Sequence, residues 1–232
     1  MRPQNPNIEL TRAIARRLGP LLPDLTFVGG CATGLLITDP ASAPARPTRD
    51  VDVIAEVTSY ADYSVLIERL RVLGFMEDST EDAPLCRWQV EEMKLDVMPT
   101  SAAILGFSNR WYEGAIRSAS QNQLDTDLVI RLVSGPYFLG TKMEAFRTRG
   151  HNDFRISSDL EDMIAVVDGR IELLEETRAE SLELRRYLGS AFRAILASQD
   201  FLDALPGHLL PDTASQQRAA VILERMAALA EL

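Results

Sequence analysis

The sequence predicts an α+β protein, with a small mixed β-sheet and flanking helices followed by a helical C-terminal region. In the first part of the chain, short apolar or alternating segments predict strands at 25–28, 50–57, 85–90, 93–98 and 128–133. Beyond residue 171 the apolar residues recur almost entirely at helical spacing. The pattern changes between Leu124 and Ser157, and we take 1–135 and 136–232 as two domains, of which the second completes a cleft.

Glycine and proline mark the ends of the predicted elements. Gly19-Pro20 ends the first helix, and three prolines make 39–49 a loop. The strands 85–90 and 93–98 meet at Glu91-Glu92 and predict a hairpin. Apolar residues at helical spacing predict helices at 8–18, 31–37, 60–73, 138–149, 158–167, 171–197 and 214–232.

Composition excludes several classes of protein. The chain has 232 residues, 46% hydrophobic and 25% charged, which is ordinary globular usage rather than collagen-like, disordered or disulfide-rich. A net charge of −10 argues against a protein that coats nucleic acid, although an enzyme could still hold one phosphate-bearing substrate in a local basic cleft. Cys31 and Cys86 predict reduced, buried thiols. Residues 1–6 carry no apolar run of a signal peptide, and we expect a cytoplasmic protein without membrane contact.

A pair of aspartates is the sharpest local feature. Asp50 and Asp52 lie two residues apart on a predicted strand, so both carboxylates point to the same face while Val51 and Val53 pack behind. Two adjacent oxygen ligands suit Mg²⁺ when water and substrate phosphates complete its shell. A solvated strand face is the other interpretation of an isolated Asp-x-Asp.

Two further features could belong to the same site as this pair of aspartates. Gly29 and Gly30 stand where a strand runs into a helix, and such a turn lets the backbone and a helix N-terminus approach a phosphate. Asp96 lies on a separate predicted strand, and it would complete a metal cluster if that strand pairs beside the Asp50 strand. Each feature alone also fits a plain turn or a surface residue.

Together these features resemble the nucleotidyltransferase superfamily related to DNA polymerase β, and in particular the AbiEii/AbiGii-type nucleotidyltransferase toxins. The resemblance covers roughly residues 20–170. It rests on three segments in order: Gly29-Gly30-Cys31-Ala32, Arg46-x-Thr48-x-Asp50-x-Asp52, and Asp96. It implies a nucleotidyltransferase core in which Asp50, Asp52 and Asp96 hold Mg²⁺ or Mn²⁺ and Gly29, Gly30 and Thr48 contact the NTP.

The same resemblance extends to two helices of the second domain. The toxin group tends to carry a Lys on one helix and two aspartates on the next, which Lys142, Asp159 and Asp162 match. It implies that Lys142 neutralises the triphosphate and that Asp159 and Asp162 have site roles. Ser158 stands where the group has a basic residue.

The residues themselves give these positions other interpretations. Lys142 shares the apolar face of its helix, so it must either extend to solvent or find a partner, and a phosphate cleft would supply one. Ser158 and Glu161 predict a capping box, which explains acids in a first turn without any site. Asp162 is expected to point well away from the apolar stripe.

The resemblance implies a Mg²⁺-dependent enzyme that transfers NMP from an NTP to an acceptor hydroxyl and releases pyrophosphate. The acceptor would be a tRNA 3′ end or a protein in a toxin that has a cognate antitoxin, or a small molecule such as an antibiotic. A non-catalytic binding module with the same fold is the alternative.

Overall fold

The computed structural model describes residues 6–150 and 152–232. The expectation that residues 1–6 are not a signal peptide therefore lies largely outside the described residues. The fold is α+β, as predicted. The chain divides into two compact units, one with residues up to Gly34 and Arg46–Ser134, the other with Leu35–Ala45 and Gly135–Leu232. The second unit thus includes a loop segment that the range 1–135 had assigned to the first domain.

Within the described residues, the first unit holds a mixed seven-stranded sheet in the order β3-β4-β5-β2-β1-β7-β6. The strands are β1 Leu25–Val28, β2 Asp50–Ala55, β3 Met76–Glu77, β4 Arg87–Val90, β5 Met93–Pro99, β6 Ser120–Asp125 and β7 Leu128–Leu132. β2 is parallel to β5 and β1 is parallel to β7, whereas the other neighbours are antiparallel. β2 is therefore the central strand.

Side-chain alternation fixes how β2 sits in the sheet. Val51 and Val53 are fully buried, while Asp50 and Asp52, which alternate with them, are only partly buried. β4 and β5 form the predicted hairpin, with Val90 paired to Met93 across the two-residue turn. The apolar side of β2 anchors the strand in the core, so its aspartates are held on the opposite face.

The first unit also contains five helices among its described residues. They are α1 Pro6–Leu18, α2 Gly29–Leu36, α3 Tyr60–Val72, α4 Ala102–Leu105 and α5 Tyr112–Arg117, with a 3₁₀ turn at Gly19–Asp24. The sequence pattern predicts none of α4, α5, β3 and β6, because these elements are short or, in β6, polar at most positions.

The second unit is helical. Its elements are α6 Gly135–Thr148, α7 Ser158–Gly169, α8 Leu173–Ala179, α9 Leu182–Leu196, α10 Gln199–Ala204 and α11 Thr213–Ala230, with a 3₁₀ turn at Leu205–His208. α6 packs against α7, α8 and α9, and α11 packs against the same three helices. Fully buried aromatic residues fill the centre: Phe138, Phe146, Phe192 and Phe201.

The prediction of one helix over 171–197 is wrong. The chain breaks between α8 and α9, where Glu180 is extended and Ser181 begins a new helix. The Ser181 hydroxyl accepts a hydrogen bond from the Leu184 backbone N–H, which satisfies a donor that the first turn leaves unpaired. A continuous apolar pattern concealed this internal cap.

Two expectations from composition can be compared with the structure. Cys31 and Cys86 are buried thiols outside any disulfide, as predicted. Across residues 6–150 and 152–232, no helix combines the length and the apolar character needed to cross a bilayer.

Candidate functional site

Pairing of β2 with β5 brings the three predicted carboxylates of the first unit together. The strands are parallel, with Asp52 directly opposite Asp96 and Asp50 opposite Lys94. Residues opposite each other on neighbouring strands project to the same face. Asp50, Asp52 and Asp96 therefore share one face at the centre of the sheet, which confirms the expected pairing of the Asp96 strand beside the Asp50 strand.

The turn between β1 and α2 lies directly against Asp52. β1 is antiparallel to β2 with Val28 opposite Asp52, so Gly29 follows immediately beside that carboxylate. Gly29 has φ +66°, and a Cβ atom built on it would lie 1.8 Å from Asp52 Oδ2. Both the positive φ and this close approach require glycine at this position.

Gly30 is also closely surrounded. A Cβ atom on Gly30 would lie 3.2 Å from the guanidinium of Arg46 and 3.2 Å from the hydroxyl of Thr48. The start of α2 therefore meets a cation and a hydroxyl as well as the aspartate. A helix N-terminus with these neighbours has the chemistry to receive an anionic group.

Asn7 on α1 holds the loop that carries Arg46 and Thr48, and the sequence analysis missed this residue. Its side chain is 1% exposed, donates to the Arg46 carbonyl over 2.7 Å and accepts from the Thr48 N–H over 2.8 Å. Thr48 in turn donates its hydroxyl hydrogen bond to Asp50 Oδ1 over 2.9 Å. This chain of bonds fixes Asp50 from the loop side.

Arg87 on β4 is the other residue that the sequence analysis missed. Its Nε and Nη2 donate to the two oxygens of Asp96, each over 2.8 Å, and Nη2 also donates to Asp50 Oδ2 over 2.7 Å. The hairpin register places Arg87 directly opposite Asp96. The two-residue turn at Glu91-Glu92 already implies that register, so the signal was present in the sequence.

The contacts of Arg87 are strong because they are charge-assisted and largely shielded from water. The side chains of Arg87, Asp50 and Asp96 are 16%, 28% and 10% exposed. The hydrogen bonds with Asp96 and the charge of both carboxylates raise the pKa of Arg87 against the opposing effect of burial. One guanidinium against these two carboxylates leaves a net negative charge on the group.

The donor chemistry of Asp50, Asp52 and Asp96 fits a magnesium or manganese site, because all three supply carboxylate oxygens from one sheet face. Arg87 engages Asp50 and Asp96 in the conformation described. Among the described residues, no three His, Cys, Asp or Glu side chains already stand in a metal-binding arrangement. The metal role of the three aspartates stays a prediction.

The second unit brings together the other predicted group. Lys142 Nζ on α6 lies 2.9 Å from Asp159 Oδ1 and 2.7 Å from Asp162 Oδ2 on α7. All three side chains are at least nine-tenths buried. Lys142 thus has the partner that its place on an apolar face requires, and the two partners shown are carboxylates of its own unit.

The sequence placed Asp162 well away from the apolar stripe of α7, and the side of the helix that carries Asp162 is buried as well. Asp162 is 1% exposed, because α6 packs on this side of α7 and Lys142 supplies the opposite charge. Spacing along one helix cannot reveal a charged partner on another helix. The apolar stripe alone therefore underestimated the width of the buried face.

The pKa of Asp159 reflects competing effects. Burial raises it, but the charges of Lys142 and Arg149 and the hydrogen bonds from both outweigh burial, so the net direction is downward. Arg149 itself is mostly exposed and donates to both oxygens of Asp159. The carboxylate form of Asp159 is therefore favoured in the folded protein.

The predicted capping box at Ser158 is also wrong. The N-cap of α7 is Ser157, whose hydroxyl accepts from the Leu160 N–H, and Ser158 is the first helical residue. The capping pattern is displaced by one residue, so Glu161 does not stand at the position that would complete a box.

Comparison with known proteins does not identify a family for this chain. No protein-family model matches the chain, and no curated protein matches it. A solved structure with similarity is the crystal structure of JHP933 from Helicobacter pylori, with 12% identity and a TM-score of 0.49, covering 96% of this chain and 88% of that one.

Proposed function

We propose that this protein is a metal-dependent nucleotidyltransferase, which transfers NMP from an NTP to an acceptor hydroxyl. The observation that carries the proposal is the register of β2 and β5, which sets Asp52 opposite Asp96 with Asp50 on the same face. The glycine turn lies directly against Asp52 and supports the same assignment. Three carboxylates beside a helix N-terminus suit a substrate that carries phosphates and a cation.

In this proposal each residue has a distinct task. Asp50, Asp52 and Asp96 would hold Mg²⁺ or Mn²⁺, and the ion would supply charge neutralisation at the triphosphate. The backbone N–H groups at the start of α2 and the hydroxyl of Thr48 orient the triphosphate. Gly29 and Gly30 permit the approach because neither carries a side chain.

Asp96 is also the proposed base. Its carboxylate takes the proton of the acceptor hydroxyl as that oxygen forms a bond to the α-phosphorus. The bond between the α-phosphorus and the bridging oxygen breaks, and pyrophosphate leaves with the electron pair. Arg87 occupies one lone pair on each oxygen of Asp96 in the conformation described, so it competes with the acceptor hydroxyl for this carboxylate.

For Lys142, Asp159 and Asp162 the contacts favour a stabilising role within the second unit over a triphosphate contact. Lys142 Nζ already has two carboxylate partners, both within 2.9 Å. Using it for phosphate would strip a buried charge pair, which costs several kcal/mol per ion left alone. A direct role in transfer would thus compete with these carboxylate contacts of Lys142.

Transfer of a labelled nucleotide is the test of the proposed function. The protein is incubated with each α-labelled NTP and Mg²⁺, with total tRNA, cell lysate or an aminoglycoside as acceptor. Asp50→Asn and Asp52→Asn should each abolish the label, whereas Asp82→Asn, an exposed loop change, should not. Unchanged labelling in both site variants would exclude this assignment.

We propose a macromolecular acceptor, a tRNA 3′ end or a protein hydroxyl, as in a toxin with a cognate antitoxin. Digestion of the labelled product with ribonuclease or protease identifies which of the two carries the nucleotide. The net charge of −10 opposes long-range attraction of tRNA, so a protein or small-molecule acceptor would meet less repulsion. Label found only on the aminoglycoside would favour an antibiotic-modifying enzyme instead.

A non-catalytic binding module is the second candidate, and the contacts of Arg87 favour it. A guanidinium that forms ion pairs with two of the three carboxylates can stabilise the sheet without any cation. Such a module would give no transfer with any NTP and acceptor. Binding of NTP without release of pyrophosphate would distinguish it from the enzyme.

A further inference from the structure

We propose that Arg87 is an internal counter-ion that competes with the divalent cation for the carboxylates of Asp50 and Asp96. In this role it lowers the affinity of the site for a cation and must leave both aspartates before they act. The inference rests on the proposed function, since it concerns the same three aspartates.

The geometry of the contacts is the first support. Arg87 uses two nitrogens on the two oxygens of Asp96, the fork arrangement in which a guanidinium matches a carboxylate most closely. One of these nitrogens also reaches Asp50 Oδ2. The other oxygen of Asp50 accepts from Thr48, so each oxygen of both aspartates already has a donor.

The electrostatics of the sheet face are the second support. Neighbouring carboxylates repel one another, and partial burial strengthens the repulsion because water screens it less. A positive charge among them relieves this repulsion while no cation is bound, and Arg87 supplies one from the strand beside β5. A cation and a guanidinium repel each other at the same oxygens, so binding one displaces the other.

The surroundings allow the side chain to move. The Arg87 side chain keeps 16% of its surface exposed, whereas Trp88 beside it is 1% exposed and locked in the core. The backbone of Arg87 stays in the β4–β5 ladder, so only side-chain torsions have to change. Rotamer changes of this kind need no rearrangement of the sheet.

Cation binding measured directly is the test. Mn²⁺ affinity is determined by calorimetry or by electron paramagnetic resonance for the wild type, Arg87→Met and Arg87→Lys. Arg69→Met is the matched control. Arg69 lies on α3 and forms an exposed ion pair with Asp24, the last residue of the 3₁₀ turn before β1. The free energy of unfolding is measured for each variant in EDTA and in Mn²⁺, which gives a readout that does not depend on transfer.

Arg87→Met should bind Mn²⁺ about tenfold or more tightly than the wild type, since a charge-assisted competitor is lost. The same variant should be less stable in EDTA and should regain stability with Mn²⁺. Arg87→Lys keeps the charge without the fork and should lie between the two. If Arg87→Met does not fold without the cation, the Mn²⁺ affinity of Arg87→Lys alone still tests the competition.

Three other results have separate meanings. Equal Mn²⁺ affinity in wild type and both Arg87 variants, or weaker binding in the variants, would overturn the competition while leaving the proposed function intact. An equal gain in Arg69→Met would overturn it too, because a general charge effect would then explain the result. No Mn²⁺ binding by any of the proteins, with or without NTP, would overturn the metal site and the inference together.

Discussion

The carboxylate of Asp52 stands where a side chain on Gly29 would have to be, with Oδ2 only 1.8 Å from the position of an added Cβ. This relationship follows from the pairing of β1 with β2, in which Asp52 lies opposite the last residue before the turn. The turn and the aspartate therefore form one packed group. A substitution at Gly29 should therefore displace Asp52, and a larger side chain at position 52 should disturb the turn.

Gly29→Ala should displace Asp52 and abolish nucleotide transfer. Two costs add: the positive φ, at about 1–2 kcal/mol for a residue with a Cβ, and the collision with the carboxylate. Transfer of labelled nucleotide and the free energy of unfolding in urea measure the two effects.

Gly106→Ala is the matched control for that change. Gly106 has φ +79°, and no described atom lies within 4 Å of a Cβ built on it. Gly106→Ala should be destabilised only by the positive φ and should keep its transfer activity. If Gly29→Ala lowers the free energy of unfolding no more than Gly106→Ala and retains transfer, the close contact with Asp52 is not needed for function.

Ser157→Ala should destabilise the second unit by about 1 kcal/mol, because α7 loses the side chain that accepts from the Leu160 N–H. Ser158→Ala, one residue further along, should change stability far less. Urea unfolding of the two variants side by side measures the difference. A larger loss in Ser158→Ala would show that the helix begins at the position first expected from the sequence.

Lys142→Met should cost about 3–5 kcal/mol, because two buried carboxylates lose their shared cation. The triple variant with Asp159→Asn and Asp162→Asn should recover much of this loss, since no buried charge is then left alone from this group. Urea denaturation gives both values. A Lys142→Met protein as stable as the wild type would contradict an internal role for the cluster.

The triple variant also separates structure from chemistry at Lys142. If the protein is folded and still transfers nucleotide, none of the three side chains takes part in transfer. Loss of transfer in a folded triple variant would instead support the triphosphate contact of Lys142 that the family resemblance implies.

Acid should destabilise the wild type more steeply than Asp159→Asn. The pKa of Asp159 lies below its ordinary value of about 3.9, so its contribution to stability is complete above that pH. The contribution is lost as the pH falls through the lowered value in the folded protein. Unfolding free energies between about pH 2 and pH 6 should therefore converge for the two proteins at the acid end.

Glu161→Gln is the control, since it removes an acid from the same helix turn. It should keep the acid dependence of the wild type. A difference between wild type and Asp159→Asn that stays constant over the whole range would mean that Asp159 does not titrate differently in the folded and unfolded chains.

The sequence was sufficient for features that depend on a single strand or helix. Alternation along one strand predicted that Asp50 and Asp52 face the same way, and the structure confirms it. Glycines at the end of β1 predicted the turn, although the helix begins at Gly29 rather than Cys31. These features depend on residues within a few positions of each other, where period and composition carry the information.

What the sequence left open depends on contacts between distant segments. The partners of Lys142 lie on the next helix, and nothing in the spacing along α6 identifies them. Arg87 meets Asp50 across 37 positions of the chain. Such pairs are set by packing of whole elements, and they become visible only when the sheet order and the helix contacts are known.

The turn at Glu91-Glu92 joins β4 to β5 at a solvent-exposed tip, and Glu91 adopts φ 56° there. Its length, rather than its side chains, decides which residue of β4 stands across from Asp96. One residue added at the tip would set Cys86 or Trp88 in the place of Arg87. Substitutions at this tip should therefore be tolerated where insertions and deletions are not.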